Sequence, residues 1–122
     1  MKLAALKKYL AAKPGAAEDY PFGENALVYK VRGKMFALVL ENSDPLTMNL
    51  KCAPDEAEMI RNMYPAVAPG YHMNKRHWNT VTLDGTIDTE TIHGMIDDSY
   101  DLVVKGLPKA VREELTGGRG SM

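Results

Sequence analysis

The sequence predicts an α+β fold, a twisted antiparallel sheet with helices packed on one of its faces. Period-two alternation marks the strands, most clearly where Leu46, Met48, Leu50 and Cys52 are set against Thr47, Asn49 and Lys51. Helical spacing marks both ends of the chain: Leu3, Leu6 and Leu10 share one face, and Ile92, Met95, Ile96, Ser99, Leu102 and Val103 share another. Strands with one apolar and one polar side belong in an antiparallel sheet that helices cover on the apolar side only.

The elements follow in order. Lys2 to about Lys13 reads as an amphipathic helix with Lys2, Lys7 and Lys8 off its leucine face, and Pro14-Gly15 ends it. A loop through Tyr20-Pro21-Phe22-Gly23 leads into a strand where Leu27, Tyr29 and Val31 alternate with Val28, Lys30 and Arg32. Arg32-Gly33-Lys34 turns tightly into a second strand, Met35–Leu40, as in a β-hairpin. Asn42-Ser43-Asp44-Pro45 is a turn before the strand at 46–52. Pro54 occupies a first helical position, and Asp55, Glu56 and Glu58 complement the helix dipole, so 54–63 is a short helix stopped by Tyr64-Pro65. Residues 65–70 read as a loop, and Tyr71–Met73 and Trp78–Leu83 as two strands joined across Asn74-Lys75-Arg76-His77. Asp84-Gly85 turns the chain, and Asp88 caps the helix that carries Ile92. Gly106 and Pro108 interrupt it, Lys109–Leu115 is a last short helix, and Thr116–Met122 reads as a flexible tail. The expectation is one domain over 1–115.

Composition narrows the function classes. With 122 residues, 45% hydrophobic and 25% charged, the chain can bury a core without disulfides or metal. A formal net charge of −1 excludes nucleic-acid binding by overall basicity and leaves only a local patch. One cysteine, Cys52, excludes an internal disulfide framework and suits a reducing, cytoplasmic compartment. Lys7 and Lys8 break the apolar run near the start, against a signal sequence, and no stretch has the ~20 apolar residues of a membrane helix. A monomer is expected.

Charge is uneven along the chain. Residues 1–17 carry four lysines and no acid, and residues 84–101 carry six acids and no Lys or Arg. Between them, the 25 residues Met59–Leu83 contain no Asp or Glu, and this window holds the only tryptophan. Solvated helix faces of one sign explain part of the pattern. On the polar side of the strands, Lys30, Arg32, Thr47, Asn49, Lys51, Thr80 and Thr82 include no acid, and Trp78 shares the parity of Thr80 and Thr82. A basic sheet face is therefore expected, extended by His72, Asn74, Lys75, Arg76 and His77 around a hairpin tip. Cations for phosphates beside a flat ring are what nucleic-acid binding needs. The plainer alternative is a solvated turn beside a packed tryptophan.

Three segments carry a family resemblance: Pro21-Phe22-Gly23 leading to YKVRGKMFALV at 29–39, PGYHMNKRHWNTV at 69–81, and DDSYDLVVKGLPK at 97–109. With these, the chain resembles the MmcQ/YjbR family of small bacterial proteins. The resemblance implies a twisted antiparallel sheet flanked by helices, similar to frataxin-like and secretion-chaperone-like folds. It also implies DNA binding, because the family's hairpins are similar to a double-wing module; that is a fold-level analogy. It implies no catalytic residues.

Other chemistry finds less support. His72 and His77, and His93 with Asp97, lack the converging set that zinc needs, so no metal or cofactor is expected. Ser99 and Cys52 lie among core positions, and no Gly-rich phosphate loop is present, so no enzyme is expected. A protein or small-ligand adaptor stays open: Met59, Met63 and Met73 flank the central motif, and a pocket among Tyr64, Tyr71 and Trp78 would suit a peptide or an aromatic ligand.

Overall fold

The structure, a computed structural model, describes residues 1–70 and 73–120. Its elements are α1 (Leu3–Ala11), β1 (Ala16–Asp19), β2 (Ala26–Val31), β3 (Lys34–Leu40), β4 (Leu46–Lys51), α2 (Pro54–Met63), β5 (Val67–Pro69), β6 (Trp78–Leu83), α3 (Thr89–Lys105) and α4 (Lys109–Gly120). The strands form one antiparallel sheet in the order β1-β2-β3-β4-β6-β5. The α+β expectation holds.

The core lies between one sheet face and the helices. Leu6 and Leu10 of α1 and Ile92, Ile96, Tyr100 and Val103 of α3 pack on Leu27, Tyr29, Val31, Met48, Leu50 and Val81. Ser99 is buried in α3, and its hydroxyl joins the layers by donating to the Phe36 carbonyl (2.6 Å) and accepting from the Lys51 N–H (2.8 Å). Both bonds hold backbone groups that the sheet ladder leaves open at that end.

The β2–β3 hairpin turns on Arg32 (φ 51°) and Gly33 (φ 79°), the two left-handed residues that a two-residue turn of matching twist requires. A bulge follows. Tyr29 pairs with Ala37 and Lys30 with Met35, so Phe36 is the extra residue and turns into the core. There its ring meets Tyr100 edge-on, 5.2 Å between centroids.

Three predicted boundaries need correction. The partner of β6 is β5 at Val67–Pro69, read from sequence as loop, and not a strand at Tyr71–Met73; Met73 is outside any strand, while Tyr71 lies outside the described residues. β1 was also expected as loop. Both are short edge strands that pair on one side only, and proline is tolerated at such an edge, so neither has a pattern of its own to read. The last helix continues to Gly120, beyond the predicted end at Leu115. Among the described residues no helix is long and apolar enough to cross a membrane.

Candidate functional site

β6 shows the alternation its sequence predicts. Asn79, Val81 and Leu83 are buried on the helix side, and Trp78, Thr80 and Thr82 are half-buried on the outer side. The β4–β6 register sets Lys51 directly opposite Trp78 and Asn49 opposite Thr80. Side chains of such pairs are neighbours on one face. Lys51 and the Trp78 ring are therefore adjacent at one end of the outer face.

The segment between β5 and β6 is closed by backbone bonds. Gly70 N–H donates to the Trp78 carbonyl (2.9 Å), and Met73 N–H donates to Gly70 (3.0 Å). The Asn74 carbonyl accepts from both His77 (3.1 Å) and Trp78 (2.9 Å), while the His77 carbonyl accepts from Cys52 N–H (2.8 Å). The Asn74 side chain accepts from Arg76 N–H (3.0 Å), a local bond that shapes the turn. Lys75 and Arg76 stand exposed at its apex, with His77 half-buried behind them.

Arg61, which no sequence pattern singled out, holds this turn against α2. Its Nε donates to Asn79 Oδ1 (2.6 Å), and its guanidinium also reaches the carbonyls of Lys75 and Trp78, the latter at 3.5 Å. Asn79, only 3% exposed, donates in turn to the Ala57 carbonyl (3.4 Å). A planar fork suits this geometry, since it binds side chain and backbone acceptors together.

The continuous basic face expected from sequence is not there. Lys30 is 3.0 Å from the carboxylate of Asp19, which β1 brings alongside, and Arg32 is 2.7 Å from Glu114 of α4. The Lys30 contact, with the Tyr20 backbone N–H, holds the Asp19 carboxyl below its ordinary range. Between Lys30 and Lys51 the face is apolar, with Val28 and Leu38 buried there. The structure thus groups Lys51, Asn74, Lys75, Arg76, His77 and Trp78, and separates Lys30 and Arg32 from them. His72 lies outside the described residues.

The pocket expected among Tyr64, Tyr71 and Trp78 involves Tyr71, which lies outside the described residues; among the described residues a cleft of about 270 Å³ opens in the middle of the outer face. It is lined by Phe22, Ala26, Leu38, Leu40, Asn49 and Met73. Phe22, from the β1–β2 loop, is 67% exposed. Met73 comes from the opposite side, on the segment that bears Lys75 and Arg76.

The groups weighed for other chemistry are occupied. Burial raises the Cys52 thiol pKa, with Glu56 and Asp98 adding to it, so little thiolate forms at neutral pH. The His93 ring stacks on Tyr9 at 3.7 Å, in the packing of α1 on α3. Tyr9 donates to Asp97 (2.6 Å), and this bond, with burial, pushes its pKa up to about 12. Burial acts to raise the Asp97 pKa, but hydrogen bonds from Lys13 and Tyr9 outweigh it and leave it lowered. Among the described residues no three His, Cys, Asp or Glu side chains converge as a metal-ligand set.

The chain matches known proteins over most of its length. It is 36% identical to the uncharacterised protein YjbR of Escherichia coli, over 94% of this chain and 98% of that one. It is 28% identical to the uncharacterised protein YyaQ of Bacillus subtilis, over 78% and 92%. A crystal structure from Deinococcus radiodurans superposes with a TM-score of 0.88 at 41% identity, covering 93% of this chain and 87% of the other. A crystal structure of a Pseudomonas syringae protein superposes with a TM-score of 0.73 at 29% identity, covering 84% and 98%. The model of the YjbR family matches residues 11–102, which include the Lys51–Trp78 pair and the turn beside it. The chain belongs to the YjbR family.

Proposed function

We propose that this protein is a non-enzymatic DNA-binding protein, and that it engages DNA through Lys51, Trp78 and the 73–77 turn. The observation that carries this reading is the side-by-side placement of Lys51 and Trp78, with Lys75 and Arg76 exposed at the adjoining apex. Cations attract and position phosphates, and an indole face accepts a base or sugar regardless of sequence. No acid occurs in the sequence from Met59 to Leu83, and Glu56 and Asp98, the acids that act on Cys52 beside Lys51, come from α2 and α3. The wing is a turn pinned by Arg61 and not a long hairpin, which gives a small footprint and modest affinity. Lys30 and Arg32 are left out of it.

Fluorescence anisotropy with labelled DNA over about 50–200 mM salt tests the reading. The expected result is affinity that falls steeply with salt, with Lys75→Ala/Arg76→Ala weakening all sequences alike and flattening the salt slope by about two phosphate contacts. Neither strand nor duplex binding at the lowest salt would end the proposal.

A second reading, a protein adaptor, rests on Met59 and Met63. They lie one turn apart on α2, are 55% and 59% exposed, and offer an adaptable apolar surface on the side of that helix away from Arg61. It predicts partner binding that survives high salt and fails in Met59→Glu/Met63→Glu.

A further inference from the structure

We infer that the nucleic-acid ligand is single-stranded, and that one unpaired base enters the cleft between Phe22 and Met73 with its edge on the Asn49 amide. This rests on the nucleic-acid reading above and adds to it the form of the ligand and the place of a base. Asn49 is the observation that starts the argument. It is only 4% exposed, yet it stands on the outer face, flanked by Leu38 and Thr80 across the sheet. Its Oδ1 accepts from the Thr80 hydroxyl (2.6 Å), and its Nδ2 makes no hydrogen bond among the described residues. That nitrogen is not among the atoms sealed from solvent without a partner, so it is a donor open to whatever occupies the outer face.

What surrounds that amide is apolar and open on one side. Leu38, Leu40 and Ala26 form the floor with Asn49, and Phe22 and Met73 rise at the rim. Apolar walls around one convergent polar group make the usual form of a small-ligand site, and about 270 Å³ holds one nucleobase with room to spare. A nucleobase has the matching chemistry, with two apolar faces for Phe22 and Met73 and a polar edge for an amide.

Charge complementarity identifies the base as part of a strand. Lys51 and Trp78 lie two residues along β4 and β6 from Asn49 and Thr80, on the same face and about 7 Å away. Arg76 stands on the segment that also supplies Met73. A base in the cleft therefore leaves its backbone beside cations and its neighbour beside the indole. A duplex meets this site poorly, because a paired base must first be unstacked and flipped at a cost of a few kcal/mol. A single strand pays no such cost.

Anisotropy with three labelled probes of equal length tests the inference: oligothymidylate, the same strand with abasic sites throughout, and a duplex. For the wild type, oligothymidylate is expected to bind about tenfold more tightly than either of the others, within the range of one stacked base. Phe22→Ala, at an exposed position that folding tolerates, should remove that advantage and leave abasic binding and its salt slope unchanged. If all three probes bind wild type alike and salt-dependently, the cleft takes no base and the inference is overturned while nucleic-acid binding stands. If none binds at low salt, both fall. Selective binding that Phe22→Ala leaves intact also overturns the assignment of the cleft.

Discussion

Replacing Arg61 with alanine tests whether the 73–78 turn is held by its guanidinium. Three acceptors lose a donor, and their fates differ. The Trp78 carbonyl keeps the Gly70 N–H at 2.9 Å, and Lys75 is exposed, so water replaces the donor at its carbonyl. Asn79 Oδ1 is left without its 2.6 Å partner in a residue only 3% exposed. Leaving one buried acceptor unpaired costs about 1–3 kcal/mol, and losing a cation from the last turn of α2 adds a few tenths. The expected loss is thus about 2 kcal/mol, which at a urea m-value of roughly 2 kcal/mol/M lowers the midpoint by about 1 M. Urea unfolding followed by the fluorescence of Trp78, the sole tryptophan, measures it. Asn79→Ala and the double variant complete a cycle, in which a coupling of about 1 kcal/mol is expected for groups in direct contact. Additivity within about 0.3 kcal/mol would refute the reasoning, because the two side chains would then not share an interaction.

Other perturbations follow from the same structure. A Cβ on Gly70 would stand 3.0 Å from Trp78 Cβ and 3.1 Å from its carbonyl oxygen, so Gly70→Ala should destabilise by about 1–3 kcal/mol; an unchanged urea midpoint would show that β5 shifts freely. Burial, then Glu56, Asp101 and Asp97, raise the Asp98 pKa. The folded state therefore binds its proton more tightly than the unfolded one, and the group's contribution to stability falls as pH rises from the unfolded to the folded pKa. Asp98→Asn should accordingly stabilise at pH 7 and lose that gain in acid, and a pH-independent difference in urea midpoint would contradict the assignment. Cys52 should react slowly with a thiol reagent at neutral pH in the native protein and quickly in denaturant; equal rates would mean an accessible thiolate.

The parts of this protein legible in its sequence are those that one segment decides alone. The outward parity of Trp78, Thr80 and Thr82 follows from a period of two, which needs no partner strand to be read. The leucine face of α1 and the Ile92–Val103 face of α3 follow likewise from helical spacing. The Arg32-Gly33 turn announces itself because Gly33 sits at hairpin spacing between two strand-patterned runs, and glycine takes the left-handed φ that such a turn needs.

The candidate site was legible in its position and not in its extent. Lys30 and Lys51 look alike in sequence, yet Asp19 claims the first through an edge strand that has no pattern of its own. Arg32 is claimed by Glu114, 82 residues away, through the docking of α4. Asn49 falls on the predicted side of β4, but its burial comes from Leu38, Thr80 and the flanking loops, which meet only once the sheet is assembled. Arg61 had no signal, since its role lies in three acceptors from another layer.

The sequence by itself determined the fold class, the strand faces, the family and the acid-free stretch around Trp78, all of which are local properties of the chain. Only the tertiary structure decided which cations keep company with acids, which outer-face residues sink into a cleft, and which side chain pins the turn. Pairing and burial depend on what lies across the sheet, and the order β1-β2-β3-β4-β6-β5 brings those neighbours together from distant parts of the chain.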